Sequence, residues 1–285
     1  MQNRYAGDLG DFLKLSLLRW MLAGYGKVRP LQLGVVWFLV PDESHNADGK
    51  HVTYLDVEHR SATRFRSLDP DLYARLASMT KTEPNRSVKG LERCGALPAA
   101  AVTFGEPLSF ADLATTDKLA RLSRRQHWLE SAMAATAPCD LVFLDPDNGL
   151  RSNLHNTPRH RNKSEKHAYL DEINAFSDRG QSVIVYHHAD RSAPVPEQAT
   201  RRLAEVAAEC SGRPLAAVRA SAGTVRLFLV VAAPGAEQRL TDRLQALTVS
   251  SLASELQVYY WNNEARPTNE APPTDEERPR QEAPL

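Results

Sequence analysis

At 285 residues, 42% of them hydrophobic and 25% charged, the chain has an ordinary globular composition and a formal net charge of zero. That length allows one large domain or two small ones, and a core of this size needs no cross-links. A neutral chain has no global basic field to draw it onto nucleic acid. Three widely spaced cysteines, Cys94, Cys139 and Cys210, without a CxxC pair, suggest neither a zinc knuckle nor a disulfide framework.

The opening stretch, MQNRYAGDLGDFLK, carries Asp8 and Asp11 where a secretory signal would be apolar. From Phe12 to Leu22 apolar residues recur at a helical period, with Gly24 as the stop. LQLGVVWFLV is a continuous apolar run, the pattern of a strand buried on both faces, and falls far short of the roughly 20 residues that span a membrane. A soluble, cytoplasmic chain with reduced cysteines and no membrane contact is the expectation. PDESHNADGKH then collects Asp42, Glu43, His45, Asp48 and His51 in a polar loop. DPDLYARLASM reads as a short helix with an aspartate N-cap, AAAVTFGEPL as a strand and ARLSRRQHWLESAMAAT as a helix. DLVFLD is a strand, SEKHAYLDEINAFSDRG a helix closed by Gly180, and QSVIVYHH a second buried strand. EQATRRLAEVAAEC is helical, LAAVRAS and VRLFLVVAA are strands, and AEQRLTDRLQALTVSSL is the closing helix. From Asn262 onward five prolines and six acids offer almost nothing to bury. Residues 1–261 are therefore expected to form the folded domain and 262–285 a disordered tail.

Alternating helices and unbroken apolar strands imply a mostly parallel, doubly wound, Rossmann-like α/β sheet. The last two strands are joined by AGT alone, too short for a parallel crossover, so the sheet ends in an antiparallel hairpin. S-adenosylmethionine-dependent methyltransferases have that arrangement; flavodoxin-like and hydrolase sheets share the pattern up to the hairpin.

The segment DLVFLDPDNGL, Asp140 to Leu150, delivers Asp145, Pro146, Asp147 and Asn148 to the C-terminal end of a strand, the edge where open α/β sheets bind ligands. A carboxylate there, beside a proline carbonyl, can accept both N–H bonds of a nucleobase amine and orient its lone pair. The competing reading is a turn, which Asp-Pro-Asp-Asn-Gly would form regardless of function.

Two stretches resemble the bacterial large-subunit ribosomal RNA adenine-N6 methyltransferases. AGDLGDFLKL matches their amino-terminal motif at Ala6, Gly7, Asp11 and Lys14, and LVFLDPDNGL matches their Asp-Pro-Pro-Tyr motif at Asp145 and Pro146. The opening NRYAGDLGDFLK is also similar to that of a further group of bacterial proteins. The methyltransferase resemblance, covering roughly residues 3 to 250, implies a bound S-adenosylmethionine with Gly7, Asp11 and Lys14 beside it and a nucleic-acid substrate. The chain departs from that family in two places. PDESHNADGKH has a single late glycine, Gly49, where the family has a glycine-rich turn, and Asp147 and Asn148 stand in place of the second proline and the base-stacking tyrosine.

The stretch from Arg151 to Lys166 places Arg151, Arg159, Arg161, Lys163 and Lys166 directly after the Asp145 loop, where they could hold substrate phosphates together with Tyr5. RLSRRQHW could extend that basic surface. A divalent-metal site built from Asp42, Asp145, Asp147 and His187 is the alternative, although its spacing matches no fixed metal motif. Three functions follow in rank order. The first is amine methylation of nucleic acid, the second a metal-dependent phosphoesterase or nuclease on the same scaffold, and the third a non-catalytic methyltransferase-like binding protein.

Overall fold

The structure, a computed structural model, describes residues 1–23, 29–43, 49–83, 86–151 and 158–262. The expected helix stop at Gly24, the loop residues His45 and Asp48, and the tail beyond Asn262 lie outside them.

Three runs read as doubly buried strands form the centre of the sheet. They are β1 (Leu33–Trp37), β3 (Leu141–Asp145) and β6 (Ser182–His188), and every residue of the first two is buried. With β2 (Val102–Phe104), β7 (Arg213–Ala220), β8 (Arg226–Ala232) and β9 (Leu256–Tyr260) they make a seven-stranded sheet in the order β2-β1-β3-β6-β8-β7-β9. β2, β1, β3 and β6 are parallel neighbours. β8 runs antiparallel between β6 and β7, and β9 pairs antiparallel with β7. The sheet is thus mostly parallel, the expected hairpin is present, and its second strand is inserted next to β6 rather than added at the edge. β9 was not anticipated; as an edge strand it is only partly buried and lacks a long apolar run.

Alternation along the strands divides the core in two. Val35, Phe143, Ile184, Phe228 and Val230 face α1 (Leu9–Leu22), α2 (Ala62–Leu68), α3 (Pro70–Thr82), α4 (Val88–Arg93) and, after β8, α8 (Glu237–Leu247). Val36, Val142, Leu144, Val185 and Leu229 face α5 (Lys118–Ala135), α6 (Leu170–Ser177) and α7 (Val195–Glu209). The expected aspartate cap is Asp69, whose side chain accepts from Leu72 N at 3.0 Å. Among the described residues no helix is long and apolar enough to cross a membrane.

One expected helix begins later than the pattern implied. Ser164–Lys166 is a 3₁₀ turn, and His167–Tyr169 is a strand, β5, paired in parallel with β4 (Gly149–Arg151). α6 starts at Leu170 because the Glu172 carboxylate accepts from Tyr169 N at 3.0 Å and closes the helix end there. The same carboxylate holds Arg125 through two bonds of 2.6 and 2.9 Å, and Arg125 donates onward to the carbonyls of Ser164 and His167. Arg121 donates to the His160 and Leu113 carbonyls. These arginines are therefore internal ties for the 158–167 loop, which corrects the reading of RLSRRQHW as basic surface.

Removing one member of a buried pair leaves the other charged and desolvated. Arg125→Met should cost about 3–5 kcal/mol in urea unfolding. The double replacement Arg125→Met with Glu172→Met should recover most of that loss.

Candidate active site

The amino-terminal motif is shaped by a left-handed turn. Gly7 has φ +76°, a left-handed conformation that favours glycine. The chain then enters α1 with Asp8 as N-cap, accepting from Asp11 N at 2.9 Å, while Asp11 accepts from Gly7 N at 3.1 Å. One turn on, Lys14 extends between two carboxylates, 2.5 Å from Asp11 Oδ1 and 2.8 Å from Asp145 Oδ2. All three side chains are almost fully buried. The lysine also lies 5.2 Å from the Trp37 ring centroid. Lys14 thus faces inward, because α1 is buried on nearly all sides.

Strand register builds the opposite wall. Asp145 pairs with Trp37, and His188 pairs with Arg226. Counting in twos along each strand places Asp145 with Phe143, Tyr186 and His188 with Ile184, and Arg226 with Phe228. All of these lie on the α1 side of the sheet. Together with Pro146, Asp147, Asn148, Tyr5, Gly10 and the Gly49–His51 segment they enclose a hollow of about 460 Å³ at the C-terminal edge of the parallel strands. That volume lies within the range of small-molecule sites.

The charges are unevenly settled. Burial pushes the Asp11 carboxyl up to about 6 against the pull of Lys14, with Asp8 and Asp145 adding to the rise. Burial opposes the Lys14 ammonium too, but Asp11 and Asp145 outweigh it and hold the amine above its ordinary value. Asp147 accepts from Gln2 at 2.9 Å and pairs with Lys166 at 3.1 Å. Burial works to raise its pKa, yet the Met1 amine, Gln2 and Lys166 keep the carboxyl below its usual range. Asp145 gives Oδ2 to Lys14, and the carboxylate oxygen of the hollow that is buried without a hydrogen-bond partner among the described residues is Asp147 Oδ1. Asp8 has no cationic partner among the described residues. The hollow therefore presents carboxylate oxygens able to receive N–H donors.

The crevice between β1 and β3, where the strand order reverses, is filled by the chain itself. The Met1 amine donates to Phe38 O at 2.7 Å and to Asp145 O at 3.3 Å, and Gln2 follows it.

The remaining expected site residues divide. Gly7 does not line the hollow; it shapes the turn that delivers Asp8 and Asp11. Asn148 lies at the rim, its N–H donating to Lys166 O at 2.8 Å. Lys166 is not a surface phosphate contact, because Glu43 at 2.6 Å and Asp147 engage it. Arg159 stacks on Tyr169 at 4.6 Å and pairs with Asp171. Arg161 is exposed and Lys163 sits at the loop's left-handed turn with φ 68°, while Arg151 is half-buried. Among the described residues, 158–166 form a structured loop rather than a continuous basic surface.

The four-residue metal reading fails on position. His187 points to the opposite face of the sheet, 3.3 Å from Arg202 Nε, with its backbone against Gly149. Asp42 accepts from Arg4 N away from the hollow. Among the described residues no three His, Cys, Asp or Glu side chains converge as a metal site. Arg226, Tyr186 and Gly10 were not anticipated, and the signal for Arg226 was its parity with Phe228 along VRLFLVVAA.

Comparison of the chain with family models, curated proteins and solved structures finds no match.

Two outcomes follow from the buried charges. Lys14→Met should destabilise the fold by about 3–5 kcal/mol in denaturant unfolding, since two carboxylates lose their shared cation. Burial pushes the His187 imidazole down to about 3 and that of His167 to about 4. Each stays neutral in the fold but binds a proton when unfolded, so stability is complete above pH 6.5 and falls as pH drops toward those values. Asp11 works the other way, its contribution being lost as pH rises from about 4 to 6. Unfolding midpoints from pH 7 to 4 should therefore show a shallower acid loss in His187→Asn than in the unaltered chain. The difference should approach about 3 kcal/mol at pH 4.

Proposed function

We propose that the hollow is the active site of an S-adenosylmethionine-dependent enzyme that methylates an amine of a nucleic-acid base. The observation carrying this reading is the convergence of two distant motifs. Asp11 and Lys14 from the amino-terminal stretch meet Asp145 and Pro146 from the strand-end loop at one hollow, 131 residues apart in sequence for the Lys14–Asp145 bond. The reversed β8 between β6 and β7 is consistent with the methyltransferase-like arrangement.

The cofactor, when bound, supplies an electrophilic methyl group. It carries an ammonium and a sulfonium, and the residues present fit those charges. Asp8 is a buried carboxylate without a cationic partner among the described residues. With the β1–β3 crevice taken by Met1 and Gln2, the hollow itself is the place for it, held by Asp8 and Asp11. Asp145 Oδ1 receives an acceptor N–H, and the Pro146 backbone carbonyl is suited to the second. Lys14 fixes the Asp145 carboxylate through its 2.8 Å bond to Oδ2. Tyr5 and Asn148, at the rim, are positioned to meet the acceptor's ring.

Isothermal titration of the full chain with S-adenosylmethionine should give binding at micromolar to millimolar ligand, and transfer of labelled methyl to bulk RNA or DNA should follow. Asp145→Asn, which keeps shape but reverses the hydrogen-bond role, should lower transfer by roughly 10²-fold or more while changing cofactor affinity little. No heat at millimolar cofactor would remove the cofactor from the proposal.

A further inference from the structure

Arg226 opens β8, and its pairing with His188 sets its side chain over the rim of the hollow. Its Nη1 donates to the Thr224 carbonyl at 2.8 Å, with Ala222 O at 3.5 Å, so the preceding turn holds one arm of the guanidinium. The rest of the group lies on α1 at Gly10. A Cβ there would come 2.3 Å from Cζ and Nη2 and 2.7 Å from Nε. Glycine disfavours a helix, and here its missing side chain is the space the guanidinium occupies. Nε and Nη2 donate to nothing among the described residues. Lys14, which also lines the hollow, is shared by two carboxylates. Arg226 has no carboxylate partner among the described residues.

A guanidinium fixed at one arm at the rim of a cavity, with no carboxylate partner among the described residues, is preorganised for an oxyanion. The carboxylates of Asp8, Asp11, Asp145 and Asp147 rule out a ligand that is negative throughout. A molecule with an amine at one end and one anionic group at the other suits both walls. We propose that Arg226 binds a single phosphate of the acceptor, making the substrate class a nucleotide unit whose base amine reaches Asp145. This rests on the reading of the hollow as the acceptor site.

The test is isothermal titration of the full chain with adenosine, cytidine and guanosine and with their 5′-monophosphates. At least one monophosphate should bind roughly tenfold or more tightly than its nucleoside, as charge-assisted hydrogen bonds imply. In Arg226→Gln that preference should vanish with nucleoside affinity unchanged, and Arg226→Lys should keep part of it. Gly10→Ala, which displaces the guanidinium without removing its charge, should weaken monophosphate binding with no fall in Tm, and so covers the case in which Arg226→Gln does not fold. Equal affinities, no monophosphate binding at millimolar ligand, or an unchanged preference in a folded Arg226→Gln would overturn the assignment. Competition by a short oligoribonucleotide places the phosphate within a nucleic-acid chain, and its absence places it on a free nucleotide; both keep the subsite. A parallel titration with S-adenosylmethionine separates the two proposals. Cofactor binding without a phosphate preference sinks the subsite alone, and a phosphate preference without cofactor binding sinks methyl transfer alone.

Discussion

A single ammonium shared by two buried carboxylates ties α1 to the middle of the sheet. Asp145 at the end of β3 would be costly as an isolated charge, and so would Asp11 within α1. Lys14 offsets both, at 2.5 and 2.8 Å, and thereby locks α1 against the strand end. The cap at Asp8, the turn at Gly7 and the inward aim of Lys14 follow from that one requirement. So does the presence of a polar hollow in a place where packing alone would favour apolar contact.

The sheet supplies the other half. Because side chains alternate, the same parity that buries Phe143, Ile184 and Phe228 against α1 carries Asp145, Tyr186, His188 and Arg226 to one rim. The neighbouring residue His187 falls on the far side, against Arg202 of α7. Two adjacent histidines thus have unrelated surroundings: one on the rim, one dry and pushed toward the neutral form.

Much of the architecture could be read in advance wherever burial was two-sided. LGVVW, LVFL and VIVY are unbroken apolar runs because helices cover both faces, and AGT forces its flanking strands to be antiparallel. The meeting of Asp11 and Lys14 with Asp145 was implied by the family resemblance of their two motifs, and only the fold gives Lys14 its inward direction. Other features left weaker marks. Arg226 looks like a solvated strand end until strand order places β8 beside β6. The arginines of RLSRRQHW resemble a charged surface because internal carbonyl partners such as His160 O and Leu113 O have no sequence signature. β5 was hidden inside a helical pattern, since a three-residue strand paired with Gly149–Arg151 carries no period of its own.

The inserted position of β8 bears on how the chain comes off the ribosome. β6 and β7 precede it in sequence but are separated by it in space, so β7 has no partner at the open side of β6 until residue 232 is made. Until then the nascent chain exposes an apolar strand edge, the kind of surface that invites pairing with a foreign strand. Translation stalled between residues 188 and 226 would therefore leave a sticky intermediate, and the arrival of β8 seals that edge and brings Arg226 to the hollow in the same event.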